Sequence, residues 1–416
     1  MRCPRALAVI LLLASLMFAA DQKPPKSKPH QPFTFIVFGD SRLPGYLPYR
    51  DDASVRRFFR AVIDYAYGPE VPFEAKTVYD SASGELVQVT LDVPGHPEKS
   101  ATFLLRNGWP QTIKVGPEET VILRGEGQRW VFDQVVTALA AGAVPGEKRG
   151  ARFALHTGDI TYSGYSGNGE DNPYWRDFYS NFLSRLPAHG AAPLAARFYP
   201  APGNHETWLD PGLEGFRREF PQLAPLGFSS EQRLYQFDYE GSRFLFLDTG
   251  DLDARRPSAW LSQHPDHAGQ MQWLRAALSD ARAAGLRNVF VTFHNPAFCV
   301  AGAGPIPADQ NPHALLKEFA RDLRITVFNG HVHTTEAFEV DGIRYLVLGN
   351  GGGEQTLNAT APPANYPPEL YWRGAPRIEE YNYLEVSVSE KDALNLRLHR
   401  FRPTAAKQFE TVELFR

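Results

Sequence analysis

Six residues in this sequence are of the types that hold a pair of hard metal ions: Asp40, Asp159, Asn204, His294, His331 and His333. Hydrolysis of a phosphate ester near neutral pH needs a nucleophile drawn from water, shielding of the phosphate charge and a proton for the leaving oxygen. Two ions about 3.5 to 4 Å apart supply the first two, by lowering the pKa of bound water and clamping the attacking and leaving oxygens. Holding such a pair takes oxygen ligands together with imidazoles, with one carboxylate shared. The six residues provide that mixture.

They lie far apart in the chain, and each stands just beyond a short apolar, β-rich run. Residues 33–38 lead into Gly39 and Asp40, 152–155 pass through His156 and Thr157 into Gly158 and Asp159, and 198–199 lead into Gly203, Asn204 and His205. The run 288–293 ends at His294, and 325–328 passes through Asn329 and Gly330 to His331 and His333. Such runs alternating with helical stretches predict a layered α/β fold. In open α/β sheets the ligand crevice lies outside the carboxyl ends of the strands, so the spacing predicts that all five ends converge on one site.

Taken as motifs, GD at 39–40, GDITY at 158–162, GNHE at 203–206, FHNP at 293–296 and GHVH at 330–333 stand in an order and spacing that resemble the calcineurin-like metallophosphoesterases. The resemblance covers residues 33–350, apart from a long insertion. It implies a four-layer α/β/β/α sandwich with two mixed sheets. Within that family the details resemble the purple acid phosphatases: Arg42 stands where many relatives carry a metal-binding His, and Tyr162 follows Asp159 by three positions. A phenolate oxygen is hard and anionic, which favours a trivalent ion. The resemblance therefore implies Fe³⁺ held by Asp40, Tyr162 and His333, and a divalent ion (Fe²⁺, Zn²⁺ or Mn²⁺) held by Asn204, His294 and His331, with Asp159 bridging. It further implies in-line attack on phosphorus by a hydroxide carried on or between the metals, with His205 as general acid and Glu206 orienting it through a hydrogen bond. Ordinary packing is the alternative for Tyr162. Arg42 is either a contact to substrate phosphate, whose oxygens a guanidinium matches, or a member of an ion pair.

One departure from the purple acid phosphatases concerns the substrate side. A further His commonly follows their fourth motif; here residues 301–304 stand in that region and His313 lies farther along, within reach only if the loop folds back. A phosphomonoesterase is the leading reading. A phosphodiesterase or nucleotide hydrolase on the same scaffold is the second, and a phospho-ligand binding protein without catalysis is the third.

The 416 residues are 43% hydrophobic and 22% charged, which fits a soluble globular protein rather than a disordered one. A net charge of −4 gives no broad positive field for nucleic acid or anionic lipid, so the expected partner is a small phosphorylated substrate. Arg2 and Arg5 precede an apolar run over 6–20, shorter than the roughly 20 residues of a membrane span. That pattern predicts a signal peptide over 1–20, and hence a secreted or periplasmic protein without a permanent membrane anchor. Pro- and Lys-rich residues 21–32 predict a flexible leader, and 33–416 one metallophosphoesterase domain. Cys3 lies in the signal, which leaves Cys299 as a buried small apolar residue. Residues 44–150 predict an inserted β-rich subdomain held on two helices at 52–65 and 130–144, with β-runs near 87–93, 102–105 and 120–123. Three β-like runs at 381–388, 393–399 and 409–415 close the chain.

Overall fold

The computed structural model describes residues 30–42, 51–67, 70–97, 100–106, 109–115, 118–121, 126–143, 150–164, 173–186, 197–251, 260, 265–300, 305–353, 372–373, 380–402 and 408–415. The expected signal peptide and most of the expected leader fall outside these residues. Gln31, near the leader's end, already donates its backbone N–H to Glu240.

The chain opens with β1 (Phe33–Phe38) and α1 (Asp52–Tyr67), then β2 (Glu74–Tyr79), β3 (Leu86–Asp92), β4 (Ala101–Arg106), β5 (Trp109–Val115) and β6 (Glu118–Val121). Next come α2 (Glu126–Ala143), β7 (Ala154–His156), α3 (Pro173–Asn181), β8 (Phe198–Pro200), the one-turn α4 (Asn204–Thr207) and α5 (Glu214–Glu219). A further stretch holds β9 (Tyr235–Tyr239), β10 (Ser242–Phe246), α6 (Pro265–Ala283), β11 (Asn288–Thr292), α7 (His313–Phe319), β12 (Arg324–Asn329), β13 (Thr335–Val340) and β14 (Ile343–Leu348). The short β15 (Trp372–Arg373), β16 (Tyr381–Val388), β17 (Leu394–Arg402) and β18 (Gln408–Leu414) end it.

These strands form two large sheets, ordered β18-β17-β16-β1-β7-β8 and β15-β13-β14-β12-β11-β10-β9. In the first, β1, β7 and β8 are parallel, and β16 pairs antiparallel with β1. In the second, β10, β11, β12 and β14 are parallel, with β9 and β13 antiparallel beside them. Both sheets are therefore mixed, and the expected three closing strands extend the first sheet past β1.

Strand alternation builds the layers. Phe35 of β1 stacks on Phe153 at 5.4 Å and meets Phe290 of β11 edge-on at 5.0 Å, joining the two sheets. Phe38 points the other way, toward Phe132 of α2 and Phe182. On β11, Val289 and Val291 flank Phe290 and join a second core with Leu274 and Leu278 of α6 and Leu316 of α7. The result is helix, sheet, sheet, helix, the four-layer sandwich that the resemblance implies. Strands buried on both faces read as unbroken apolar runs, which made these five visible in the sequence. Cys299 is buried in the second core.

The insertion is an antiparallel meander, β2-β3-β4-β5-β6, whose Ala75, Leu86, Val89 and Leu91 pack on Val55, Phe58, Phe59 and Ile63 of α1. The expectation of two supporting helices needs correction. Val131, Phe132, Val135 and Leu139 of α2 pack in the main core with Phe38 and Phe178, because their apolar stripe covers the outer face of the first sheet. The inserted unit is α1 plus the meander, and α2 belongs to the body.

Candidate active site

Each of the six donors stands a few residues past the C-terminal end of a parallel strand, and the two sheets bring these ends together. Three of the donors have backbones in the left-handed region: Asp40 at φ 51°, Asp159 at 56° and His331 at 69°. Such conformations cost roughly 1 to 3 kcal/mol each in non-glycine residues and persist where surrounding bonds fix them. Here the Asp40 N–H donates to the Gly158 carbonyl at 3.0 Å, the Asp159 N–H to Glu206 at 2.9 Å, and the His331 N–H to both oxygens of Asp40 at 2.9 and 3.0 Å. A side chain at Gly203 has no room, since its Cβ would lie 2.3 Å from Asp159 Oδ1.

The donors fall into two groups. Ligand atoms of Asp40, Asp159 and His333 all lie within 4.8 Å of one another, and these three residues are buried. In the second group Asn204 Oδ1 is 3.0 Å from His294 Nε2 and 3.0 Å from His331 Nδ1, while Asp159 Oδ1 is 3.1 Å from His294 Nε2. Asp159 thus reaches both groups. Ligand atoms bound at about 2.1 Å and at right angles around one ion lie roughly 3 Å apart, so the second group has the spacing and donor types of a metal site.

Electrostatics agree with that fit. His294 donates Nδ1–H to the Thr157 carbonyl at 2.9 Å, which aims Nε2 at the two oxygens. Burial opposes charge on this ring, yet the Asp159 carboxylate beside it carries its pKa up to about 9. A proton is held where a cation fits, and a metal ion would displace it. Burial likewise works against the Asp159 charge, but His294, His205 and Arg42 keep its pKa well below the usual carboxylate range. Burial, with His294 nearby, lowers His331 to about 3 and leaves its ring neutral.

His205 lies beside both groups. Its backbone N–H donates to Asp159 Oδ1 at 3.0 Å, its Nδ1–H donates to the Tyr162 carbonyl at 2.6 Å, and Nε2 is 3.8 Å from Asp159 Oδ2. The indole of Trp208 lies against the ring, with centroids 3.8 Å apart and planes at 33°, and Trp208 Nε1 donates to Asp251 at 3.3 Å.

Glu206 does not orient His205 as expected. It is fully buried, and its carboxylate accepts the backbone N–H groups of Asp159, Ile160, Thr161 and Gly203 at 2.7 to 2.9 Å. The Asp159 loop is what it clamps, and a carboxylate three residues into a helical turn reaches back to the cap for a simple geometric reason. Burial first, and then the Asp159 charge, pushes its pKa up to about 7.

Arg42 is 7% exposed. Its Nε–H donates to Asp159 Oδ2 at 3.2 Å, so of the two readings offered for it the ion pair is present. The Tyr162 ring lies 5.4 Å from the His205 ring and 5.8 Å from that of Tyr174, and packs against the core of the insertion. His313 is engaged elsewhere: Nδ1 bonds the Tyr345 hydroxyl at 2.7 Å and Nε2 faces Asp341 at 3.0 Å. Residues 301–304 lie outside the described residues.

Sequence reasoning missed two supports. His156 Nε2 bonds Ser41 at 3.0 Å and its Nδ1 accepts the Gly158 N–H at 3.1 Å, bracing the first two loops. Burial lowers its pKa to about 3, in keeping with a neutral brace. Trp208 was the other; its place three residues after His205, on one face of a helical turn, was the available signal.

A family model described as calcineurin-like phosphoesterase matches residues 125–335, more than half of the 416-residue chain. No curated protein matches it. Among solved structures, a dimetal phosphatase from Danio rerio is similar at 12% identity and a TM-score of 0.46, over 92% of this chain and 98% of that one. GAP50, the anchor in the inner membrane complex of Plasmodium, is similar at 13% identity and 0.44, over 70% and 85% of the two chains. PhoD is similar at 13% identity and 0.40, over 82% of each. With its two-sheet sandwich and clustered metal donors, the chain belongs to the calcineurin-like phosphoesterases and is a metal-dependent phosphoesterase.

Proposed function

We propose that this phosphoesterase hydrolyses phosphate monoesters at a two-metal centre of the purple acid phosphatase type. The observation that carries the reading is the double reach of Asp159, whose carboxylate adjoins both donor groups while His205 stands beside them. Asp40, Tyr162 and His333 would hold Fe³⁺, and Asn204, His294 and His331 a divalent ion. Bound there, the ions supply Lewis-acid charge and activate water. The protein's own part is to fix one proton. Because the Tyr162 carbonyl holds His205 Nδ1–H, the proton this ring can hand over is the one on Nε2, the nitrogen that faces Asp159. A leaving oxygen brought to Nε2 takes that proton as its bond to phosphorus breaks.

Colour tests the first ion. Charge transfer from a phenolate to ferric iron absorbs visible light, so iron-loaded protein should be violet or pink. Tyr162→Phe should lose the band and hold the first ion more weakly. Colourless protein with stoichiometric ferric iron would overturn the purple acid phosphatase assignment.

A second reading, hydrolysis of phosphodiesters or nucleotides, is favoured by the rings of Tyr162 and Trp208 beside His205, which suit a planar leaving group, and by the engagement of His313 elsewhere. Rates on a panel of monoesters, diesters and nucleotides decide between them. Residues 1–20 support export of the chain. Among the described residues no helix is long and apolar enough to cross a membrane. Protein recovered outside the cytoplasm should begin beyond residue 20 on N-terminal sequencing; an intact N-terminus there would overturn the signal-peptide assignment.

A further inference from the structure

Arg42 does more than pair with Asp159. Its Nε–H donates to Asp159 Oδ2 at 3.2 Å while its Nη2 donates to His333 Nε2 at 3.3 Å. Asp159 and His333 are both members of the first donor group, whose third member is Asp40. The guanidinium carbon also stands 5.5 Å from the centre of the Tyr162 ring. At 7% exposure, this is no surface arginine resting on the rim.

The charge balance explains the placement. Asp40 and Asp159 are buried carboxylates converging on one spot, and removing the partner of a buried charge is strongly destabilising. One guanidinium supplies a positive charge there, and its planar fork presents separate donors of fixed geometry to a carboxylate oxygen and an imidazole nitrogen, where a lysine offers one compact, mobile ammonium. The same atoms are the ones a metal ion needs. His333 Nε2 has a single lone pair, so it cannot accept from Arg42 and ligate an ion together. Two cations in one small group also repel, and the ion's attraction to the carboxylates rises with its charge.

We propose that Arg42 is the resident counter-cation of the first metal site. It holds the donors assembled in metal-free protein and must release His333 before the first ion binds. Ions of higher charge displace it more readily, so Arg42 biases the site toward a trivalent ion. This rests on the two-metal reading above.

The test uses full-length protein stripped by a chelator and titrated calorimetrically with Mn²⁺, as wild type and as Arg42→Gln. Glutamine removes the charge and keeps an amide donor. The weaker of two binding steps should tighten by about 10- to 100-fold in the variant, the range over which groups touching metal ligands tune affinity. The stripped variant should also melt at a lower temperature than stripped wild type. Equal or weaker Mn²⁺ binding by Arg42→Gln overturns the proposal, as does an unchanged melting temperature. Should stripped Arg42→Gln fail to fold, Arg42→Lys keeps the charge without the fork; it should fold and bind Mn²⁺ more tightly than wild type, and equal affinity overturns the proposal. Uptake of fewer than two ions by wild type and variant alike overturns the two-metal reading, and this inference with it.

Discussion

A proton donor works only as well as it is aimed, and in the proposed reaction His205 would be aimed from two sides. The Tyr162 carbonyl fixes its tautomer, and the Trp208 indole, itself tied to Asp251, fixes its ring plane. His205→Ala should keep both ions and lower turnover by about 100- to 10,000-fold, most for poor leaving groups; elemental analysis and a comparison of aryl with alkyl phosphates check this. Equal loss on both esters would refute the general-acid role. Trp208→Ala should lower kcat on an alkyl phosphate by about 10- to 100-fold, the scale of a misplaced catalytic group, with KM nearly unchanged, and Trp208→Phe should restore most of it. A shift confined to KM would mean that Trp208 binds substrate instead. At this scale the candidate donors were legible, because few residue types suit hard ions and all of them stand at strand ends. Trp208 and Arg42 were obscure in their roles, since stacking and ion pairing draw on residue types found throughout any chain. Glu206 was assigned the wrong bond because its four shortest bonds come from backbone groups, which carry no sequence signature.

Loops that follow parallel strands have to turn sharply while presenting side chains inward, and the left-handed backbones of Asp40, Asp159 and His331 are the outcome. Glycines make room for them. A Cβ at Gly330 would stand 2.3 Å from Asp40 Oδ2 and 2.6 Å from Thr157 Oγ1. Gly330→Ala should therefore displace the Asp40 carboxylate, destabilise the fold by about 1 to 3 kcal/mol as overpacking does, and release the first ion before the second. Urea unfolding and metal analysis measure both effects, and a full metal complement in the variant would show that the loop relaxes freely. The strands bearing these loops were readable because burial on both faces leaves long apolar runs. β2 and β5 were not: Glu74 and Lys76 keep one face of β2 in water, and β5 contains Pro110, a residue that argues against a strand. The placement of α2 was misread because an apolar stripe reveals that a helix is buried and leaves open which sheet buries it.

Across the whole molecule, the insertion and the site share a wall. Phe58 of α1 lies 6.3 Å from Tyr174, Tyr174 lies 5.8 Å from Tyr162, and Tyr162 lies 5.4 Å from His205. Phe58→Ala should change the ratio of kcat/KM between aryl and alkyl phosphates more than it changes metal content, and identical ratios across a substrate panel would make the insertion peripheral. The first sheet has another property. Its earliest strand, β1, lies between β7 and β16, so that Thr34 bonds Ser387 across 353 positions. A chain made from its N-terminus cannot complete this sheet until nearly all of it exists, and closing so distant a pair is slow. Until then β1 has one edge open to other strands, the condition in which large proteins associate wrongly. An exported chain would spend that interval beyond the ribosome, and nascent or clipped molecules would lack the finished sheet that supports Asp40. Retention of the ions would then separate completed molecules from fragments.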